Sequence, residues 1–424
     1  MESLPDGVAE ILDFEMSNWA HGSVVNDPFY DAPKEAVHSP PGTLLKIEGD
    51  TDTTKYLIPP TAALSRFVYQ SETLTGSKVP VSGYVLWPYS PRSQPDGYPV
   101  VGWAHGTSGF DANAAPSHHK NLWQHFLAPY QIALQGYVVV ATDYAGLGIK
   151  KYPSGQPIVH EYLASPSQAK DVVHSVTAAR AAFPELSINF VVIGHSQGGG
   201  AAWSVAQRAA LTSVPGYLGA VAVSPYANLL EEQNEFSKVL AAAMCPGLAS
   251  VFPEFSPGDL LTADGEKRLD MVHQTGAAIS SAVALLSGVD FLKPNWKVNT
   301  HFLQYQTLTS NGGKAINRPL LLTHGKSDPV LSVAVVENAV KRTADLFPSS
   351  QIEYASLPNV THVSALAASQ RLWMDWIGDR FAGRVVESTC HSHELACARP
   401  DGSRQSDQNW YLESATQPYH APGP

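Results

Sequence analysis

The sequence is poor in cysteine and in charge. Its 424 residues include three cysteines, Cys245, Cys390 and Cys397, and an odd, sparse count excludes a disulfide framework. Charged residues make up 15% of the chain, and 38 acidic residues against 27 basic ones give a net charge of −11. This balance argues against a general nucleic-acid-binding or anionic-membrane surface. With 44% hydrophobic residues, the chain still has the composition of a globular, core-forming protein.

The chain also lacks the pattern of a targeting or membrane-spanning segment. The first residues, MESLPDGVAEILDFEMSNW, contain no basic start followed by an apolar run, which a signal peptide requires. A long apolar stretch, Ala277–Leu292, is interrupted by serines, a glycine and an aspartate, so it does not predict a membrane span of about 20 residues. We therefore expect no transmembrane segment and an intracellular location, or a secreted protein if the sequence is a trimmed form.

One short segment near the end of the chain contains residue types that bind metals. Cys390-His391-Ser392-His393 offers a thiol and two imidazoles, and Cys390 could alternatively form a disulfide with Cys397. The spacing matches no known zinc pattern, so we expect a polar tail with scattered Cys and His. The sequence predicts neither a metal nor a cofactor.

Short apolar runs alternate with helical stretches from residue 65 onward. Two strands joined at Thr75-Gly76 come first. The later strands are continuously apolar, which indicates strands covered on both faces. They are expected at Pro99–Gly106, Tyr137–Gly148, Ile188–Ser196, Tyr217–Pro225, within Arg318–Val330 and at Gln351–Pro358. Helices are expected at Lys120–Gly136, Ser165–Phe183, Gly198–Thr212, Leu331–Leu346 and Ala365–Phe381. This order predicts an α/β fold with a mostly parallel, doubly wound sheet.

The alternation stops between residues 226 and 317, where the sequence is mainly helical. We interpret residues 226–317 as a helical cap, or lid, inserted into one α/β core that comprises residues 66–225 and 318–383. Residues 1–65 are rich in Pro, Asp and Gly, and we expect them to form an irregular arm packed on the core. Residues 384–424 are expected to form an irregular polar tail.

The stretch FVVIGHSQGGGAAW places Ser196 between a predicted strand and a predicted helix. In a G-x-S-x-G nucleophile elbow, the serine lies on a sharp turn where Gly194 and Gly198 leave room for two backbones to approach. The N–H of Gln197 would then face a developing oxyanion. The alternative is an ordinary glycine-rich turn, which a chain with 32 glycines supplies easily. The motif by itself does not separate these two interpretations.

A catalytic serine needs a base and an acid that orients the base. In this arrangement they follow the serine in the order Asp, His, each in a loop after a strand. Asp328 follows the apolar strand of LLLTHGKSDPV, and His362 follows the last strand in YASLPNVTHVSAL. His324, which sits just past its strand, is interpreted as a structural loop residue. The sequence therefore predicts a triad of Ser196, Asp328 and His362.

The loop GWAHGTSGF follows an earlier buried strand and is the candidate for the second oxyanion donor. The backbone N–H of either Gly106 or Thr107 could donate, and the sequence does not choose between them. Asp143, in ATDYAGLG, precedes the nucleophile, so we expect it to fix loops through hydrogen bonds to backbone N–H groups. His105 and Tyr144 are the candidates for substrate binding, although for Tyr144 a packing role is slightly favoured.

Taken together, these motifs resemble those of the serine α/β-hydrolases and, more narrowly, the secretory lipase family of fungi and actinobacteria. The resemblance spans residues 27–382 and rests on DPFYDAP, PPGTLLKIE, VPVSGYVLWP, WAHGTSGFDANAAPS, ATDYAGLG, GHSQGG, LLLTHGKSDPV and THVSAL. It implies an α/β-hydrolase fold, a helical lid over the triad, hydrolysis of carboxylic esters and no cofactor. The chain departs from the family at Ala115, where many relatives carry cysteine, and in its lack of a signal sequence.

These observations predict a serine carboxylic ester hydrolase, an esterase or lipase that acts on an apolar or bulky ester through an acyl-enzyme. The alternative is a biosynthetic acyltransferase, cyclase or thioesterase that uses the same triad. A third hypothesis, a binding protein on a hydrolase scaffold, requires a broken triad. The expected partner is a small-molecule ester or thioester, and the sequence leaves the oligomeric state open.

Overall fold

The structure is a computed structural model that describes residues 4–123, 127–287, 290–386, 389–400 and 403–404. Across these residues, ten strands form one sheet. The strands are β1 (Leu44–Glu48), β2 (Ala63–Glu72), β3 (Lys78–Trp87), β4 (Tyr98–Ala104), β5 (Val138–Thr142), β6 (Leu186–His195), β7 (Tyr217–Val223), β8 (Leu320–Gly325), β9 (Ile352–Leu357) and β10 (Cys390–Glu394). Their order in the sheet is β1-β2-β3-β5-β4-β6-β7-β8-β9-β10.

The sheet is antiparallel at one end and parallel over the rest. The pairs β1/β2, β2/β3 and β3/β5 are antiparallel, and every pair from β5/β4 to β9/β10 is parallel. Because β4 lies between β5 and β6, chain order reverses there, and the carboxyl ends of β4 and β6 border the crevice in which α/β proteins place ligands. The predicted α/β sheet is confirmed, and its topology positions the loops after β4 and β6 side by side.

Helices cover both faces of the sheet, and a further group of helices packs in a separate apolar cluster. They are α1 (Val8–Ser17), α2 (Pro129–Leu134), α3 (Ser165–Ala182), α4 (Gln197–Leu211), α5 (Phe236–Ala243), α6 (Cys245–Val251), α7 (Ala263–Thr275), α8 (Ile279–Leu285), α9 (Thr300–Thr309), α10 (Val333–Leu346), α11 (Ser364–Ala368) and α12 (Gln370–Phe381). Helices α3, α4 and α10 pack on one face, and α2, α11 and α12 pack on the other. Both faces of the central strands are thus buried, which explains their continuous apolar runs. No helix in the described ranges is long and apolar enough to cross a membrane.

One predicted helix is much shorter than expected. Lys120–Gly136 was expected to be helical throughout, but the helix begins at Pro129, which suits the first turn because proline has no N–H to donate. Leu122 and Trp123 have positive φ angles of 53° and 46°, which are incompatible with a right-handed helix, and residues 124–126 lie outside the described residues. Apolar spacing alone therefore overestimated this helix.

The two ends of the chain are more regular than expected. The N-terminal arm contains α1 and β1, and β2 already begins at Ala63. In the tail, β10 pairs with β9 in parallel, although its sequence, CHSHE, has no apolar face. An edge strand is held mainly by backbone hydrogen bonds to one neighbour, so it can form without an apolar pattern. The expectation of an irregular arm and tail was wrong at these segments.

Helices α5 to α9 fall within the region interpreted as a cap, residues 226–317. Their buried side chains, among them Leu248 and Phe302, belong to one apolar cluster that also contains Val8 and Leu12 of α1. The N-terminal arm is joined to this layer by Glu15 of α1, whose carboxylate accepts hydrogen bonds from Ala278 N (3.1 Å) and Ser280 N (3.0 Å) at the start of α8. A carboxylate at this end of a helix meets N–H groups that have no partner within the helix.

Candidate active site

Ser196 lies on the sharp turn between β6 and α4. Its φ of 59° and ψ of −117° fall in a region that non-glycine residues rarely adopt. The turn is held by backbone hydrogen bonds, from Ser196 N to Val223 O (3.0 Å) and from Tyr226 N to Ser196 O (3.1 Å). Because α4 begins at Gln197, the serine stands at the positive end of that helix dipole.

The two motif glycines are required by close backbone contacts, as the sequence predicted. A Cβ added to Gly198 would lie 1.9 Å from the carbonyl oxygen of Ala104, at the end of β4. A Cβ added to Gly194 would lie 2.0 Å from the carbonyl oxygen of Gly198. A side chain at either position would therefore force β4, β6 or α4 to shift.

Asp328 and His362 meet at the same end of the sheet. The Nδ1 of His362 lies 2.6 Å from Oδ2 of Asp328, and the other carboxylate oxygen accepts from Val330 N (2.8 Å) and Leu331 N (3.0 Å). Burial alone would raise the pKa of Asp328. Hydrogen bonds to His324 and His362 outweigh burial and hold that pKa well below its usual value. The carboxylate is therefore ionised over the whole neutral range.

The loop that carries His362 is attached to the serine turn. The carbonyl oxygen of His362 accepts from Nε2 of His195 (3.1 Å) and from the hydroxyl of Ser224 (3.3 Å). The rings of His195 and His362 have centroids 4.8 Å apart. Burial lowers the pKa of His195 to about 3, so its ring stays neutral as it donates this hydrogen bond. Since His195 directly precedes Ser196, the three predicted triad residues lie in adjoining loops.

His324 has a contact that the sequence analysis missed. It belongs to β8, is completely buried, and places Nε2 3.2 Å from Oδ2 of Asp328 and 2.9 Å from the carbonyl oxygen of Leu331. Both neighbours are acceptors, so Nε2 carries the proton and shares it between them. Asp328 thus receives hydrogen bonds from two imidazoles. The four-residue spacing in HGKSD was visible in the sequence, but the turn geometry decides where the ring points.

The loop after β4 lies against the serine turn from the other side. An added Cβ at Gly198 would lie 2.5 Å from the carbonyl oxygen of His105, which shows how closely the loop and the turn approach. The Thr107 hydroxyl lies 2.8 Å from the Tyr162 hydroxyl, and Thr107 is partly exposed, whereas Gly106 is buried. The Gln197 side chain is buried, with Nε2 3.2 Å from a ring nitrogen of His160. The amide side chain of Gln197 therefore faces away from solvent.

His105 and Tyr144, the two candidates for substrate binding, do not line an accessible surface of the structure. Both side chains are 0% exposed, and their rings stack with centroids 4.3 Å apart. The Tyr144 hydroxyl donates to the carbonyl oxygen of His105 (3.0 Å), and Nδ1 of His105 lies 2.7 Å from the carbonyl oxygen of Gly106. Burial lowers the pKa of His105 to about 3. The pair is a neutral support beneath the loop after β4.

Asp143 fixes loops, as predicted. Its carboxylate accepts from the backbone N of Ser117 (2.8 Å), the Ser117 hydroxyl (2.5 Å) and the Ser82 hydroxyl (2.6 Å). Burial, which outweighs these hydrogen bonds, raises the pKa of Asp143. Its role is to connect β3, β5 and the segment after the β4 loop.

Residues of the segment 226–317 contact the loops on both sides of Ser196. Gly109 forms a backbone bridge with Ala278, and Ile279 N donates to Ser108 O (2.9 Å), which joins the start of α8 to the loop after β4. On the other side, Asn234 Nδ2 donates to Val330 O (3.1 Å) in the Asp328 turn.

Two surface cavities of about 420 and 370 Å³ lie elsewhere, and neither is lined by a predicted site residue.

Comparison with known proteins agrees with the fold. A family profile described as "Serine aminopeptidase, S33" matches residues 118–364, more than half of the chain. The structure is similar to Candida antarctica lipase A in its closed state, with a TM-score of 0.72, 16% identity, and coverage of 88% of this chain and 89% of that one. It is also similar to the rice cell wall degrading esterase LipA from Xanthomonas oryzae, with a TM-score of 0.62, 19% identity, and coverage of 82% and 98%. At these identities the similarity shows the fold. A search of curated proteins found no match. The chain belongs to the S33 serine aminopeptidase family of hydrolases and has the α/β-hydrolase fold.

Proposed function

We propose that this protein is a serine hydrolase of carboxylic esters, an esterase or lipase, with Ser196 as nucleophile, His362 as general base and Asp328 as the orienting acid. The observation that carries the proposal is the 2.6 Å contact between His362 and Asp328 beside the strained Ser196 turn. An ordinary glycine-rich turn needs neither a positive φ at serine nor a buried imidazole–carboxylate pair next to it.

The hydrogen bonds support a set of proton positions for the first step. Nδ1 of His362 donates to ionised Asp328, so Nε2 is the free base that takes the proton from the Ser196 hydroxyl as its oxygen attacks the ester carbonyl. The carboxylate then stabilises the imidazolium. The tetrahedral intermediate collapses when the alkoxide leaves with the proton from His362. Water repeats the sequence to release the acid and restore Ser196.

The negative oxygen of the tetrahedral intermediate requires donors that are already in place. The backbone N–H of Gln197 belongs to the first turn of α4 and carries part of the positive end of the helix dipole. The second donor in this proposal is the backbone N–H of Gly106 or Thr107. Stacked His105 and Tyr144 hold that loop from below, so the donors need little rearrangement during reaction.

The chemistry around the cap favours an ester over an amino-terminal peptide. An aminopeptidase must pair the substrate ammonium with an available carboxylate. Two buried acids at the border of the cap already accept backbone hydrogen bonds, Glu161 from Leu74 N (2.7 Å) and Glu232 from Ser332 N (2.9 Å). The cap core is instead apolar and extends to Tyr162, beside Thr107. We infer a substrate with an apolar acyl or alcohol group.

The test combines a nucleophile variant with a matched serine control. Ser196→Ala should abolish hydrolysis of p-nitrophenyl esters and labelling by a fluorophosphonate, with a native circular dichroism spectrum. Ser213→Ala, at an exposed position after α4, should leave both unchanged. Activity that survives Ser196→Ala would overturn the mechanism.

Substrate class is tested separately from the triad. An aminoacyl p-nitroanilide that is hydrolysed with a kcat/KM as high as that of an acyl p-nitrophenyl ester would overturn the ester assignment and leave the triad intact. Transfer of the acyl group to a competing alcohol at low alcohol concentration would favour the acyltransferase alternative.

A further inference from the structure

Three side chains with metal-binding atoms lie close together on β9 and β10, the last two strands at one edge of the sheet. None of them belongs to the loops around Ser196. His391 and His393 lie on one face of β10, because alternate residues of a strand share a face. In the parallel register with β9, His391 stands beside Glu353 and His393 stands beside Ala355. The third group on this face is therefore a carboxylate from the neighbouring strand.

The distances between these groups are short. The two imidazole rings are nearly parallel, with centroids 5.9 Å apart and an interplanar angle of 12°. Nε2 of His393 lies 4.0 Å from Oε1 of Glu353. One ring nitrogen from each histidine and one oxygen of Glu353 all lie within 4.8 Å of one another. Among the described residues, this is the one group of three or more such side chains with that spacing.

We propose that Glu353, His391 and His393 form a binding site for a divalent transition-metal ion such as Zn²⁺, which links the C-terminal strand to the sheet. Two imidazoles and one carboxylate are a ligand set that zinc accepts, with water in the fourth position. Tetrahedral bonds of about 2.0–2.1 Å place ligand atoms about 3.3 Å apart. The ligand atoms, which all lie within 4.8 Å of one another, must therefore approach by at most about 1.5 Å per pair, a change that side-chain rotation supplies.

The nearby cysteines do not belong to this ligand set. Cys390 pairs with Ile352 in the register and packs against the core on the opposite face of the strand. Cys397 is exposed and lies beyond the strand, and both thiols are free. The local spacing in CHSH did not predict a metal because the third ligand comes from β9.

Neighbouring charges modulate the site. Glu353 has an attractive electrostatic interaction with Arg380 of α12, whose guanidinium lies 5.0 Å from the centre of the Trp376 ring. This cation opposes metal binding and offsets part of the attraction of the carboxylate. Arg380→Gln should therefore tighten binding, which is a readout independent of the ligands themselves.

The experiment uses the full-length protein after treatment with a chelator and dialysis. Titration with Zn²⁺ by calorimetry should show one ion per chain, and Zn²⁺ should raise the thermal unfolding temperature, since a ligand that binds only the folded state stabilises it. His391→Ala and His393→Ala should each weaken binding by at least about tenfold, and Glu353→Gln should weaken it as well. His38→Ala, at an exposed histidine elsewhere, and Cys397→Ser should leave binding unchanged.

Several results would overturn the proposal. They are the absence of stoichiometric Zn²⁺ binding by the wild-type chain, binding that survives both histidine variants, and binding lost in Cys397→Ser. The wild-type protein loaded with Co²⁺ provides a further check, which does not depend on whether a variant folds. Visible bands of tetrahedral nitrogen and oxygen coordination support the site, whereas a thiolate-to-cobalt charge-transfer band would place the ion on cysteine instead.

Discussion

Replacing Asp328 by asparagine should reverse the proton arrangement on His362 and keep the size of the side chain. The carboxylate oxygen Oδ1 accepts from the backbone N of Val330 and Leu331, so the amide oxygen of asparagine would occupy that position. The amide NH₂ then faces Nδ1 of His362, which must become an acceptor. Nε2 is left protonated and unable to take the proton from Ser196.

The expected loss of activity follows from these contacts. The variant removes charge-assisted hydrogen bonds to two imidazoles, at 2.6 Å from His362 and 3.2 Å from His324, each worth about 1.5–3 kcal/mol. The wrong histidine tautomer costs about 10⁴ in kcat in a serine protease with the same arrangement. We expect Asp328→Asn to lower kcat/KM for a p-nitrophenyl ester by about 10³–10⁴ and also to lower the free energy of unfolding.

The pH dependence of stability provides a second readout of Asp328. Its pKa is lowered on folding, so its contribution is fully present above the unfolded value of about 3.9. This contribution is lost as the pH falls from there through the folded pKa. Acid unfolding of the wild type should show this loss, and Asp328→Asn should be less sensitive to pH in the same window.

Both readouts need a control with the same chemical change. Asp345→Asn, at an exposed position on α10, removes one surface ion pair with Lys341 and should leave kcat/KM unchanged. An Asp328→Asn protein with native circular dichroism and kcat/KM within about tenfold of the wild type would refute the assignment of Asp328 as the orienting acid.

Three further substitutions test the supports of the site. His324→Gln should lower kcat with little change in KM, because it removes one hydrogen bond from Asp328. Steady-state kinetics measured across pH test this prediction. An unchanged kcat and an unchanged pH profile would count against a positioning role for His324. Gly198→Ala should destabilise the fold by about 1–3 kcal/mol or more in denaturant unfolding, because its Cβ meets the Ala104 carbonyl oxygen at 1.9 Å; wild-type stability would show that the turn can relax. Glu15→Gln should cost about 1–3 kcal/mol and speed proteolysis within residues 226–317, because it removes the charge that accepts the N–H groups of α8; an unchanged cleavage pattern would refute a link between arm and cap.

The sequence alone determined the parallel sheet, the serine turn and the order of Asp328 and His362 after Ser196. These features are local. A strand covered on both faces must be apolar throughout, and a sharp strand-to-helix turn must have glycine where two backbones meet, as Gly194 and Gly198 show. The residues that follow such strands lie at the same edge of the sheet, because parallel strands run in the same direction. The sequence pattern therefore carried this information without knowledge of long-range contacts.

Tertiary structure decided the features that depend on a distant partner. The polar segment Cys390–Glu394 forms a strand because β9 offers a free edge, and that pairing brings Glu353 beside His391. His324 reaches Asp328 only because the turn after β8 folds back on the strand. His105 is buried and stacks on Tyr144, which lies after a different strand. Such contacts join residues far apart in the chain or depend on a particular turn, and neither composition nor apolar periodicity specifies which side chain will face which.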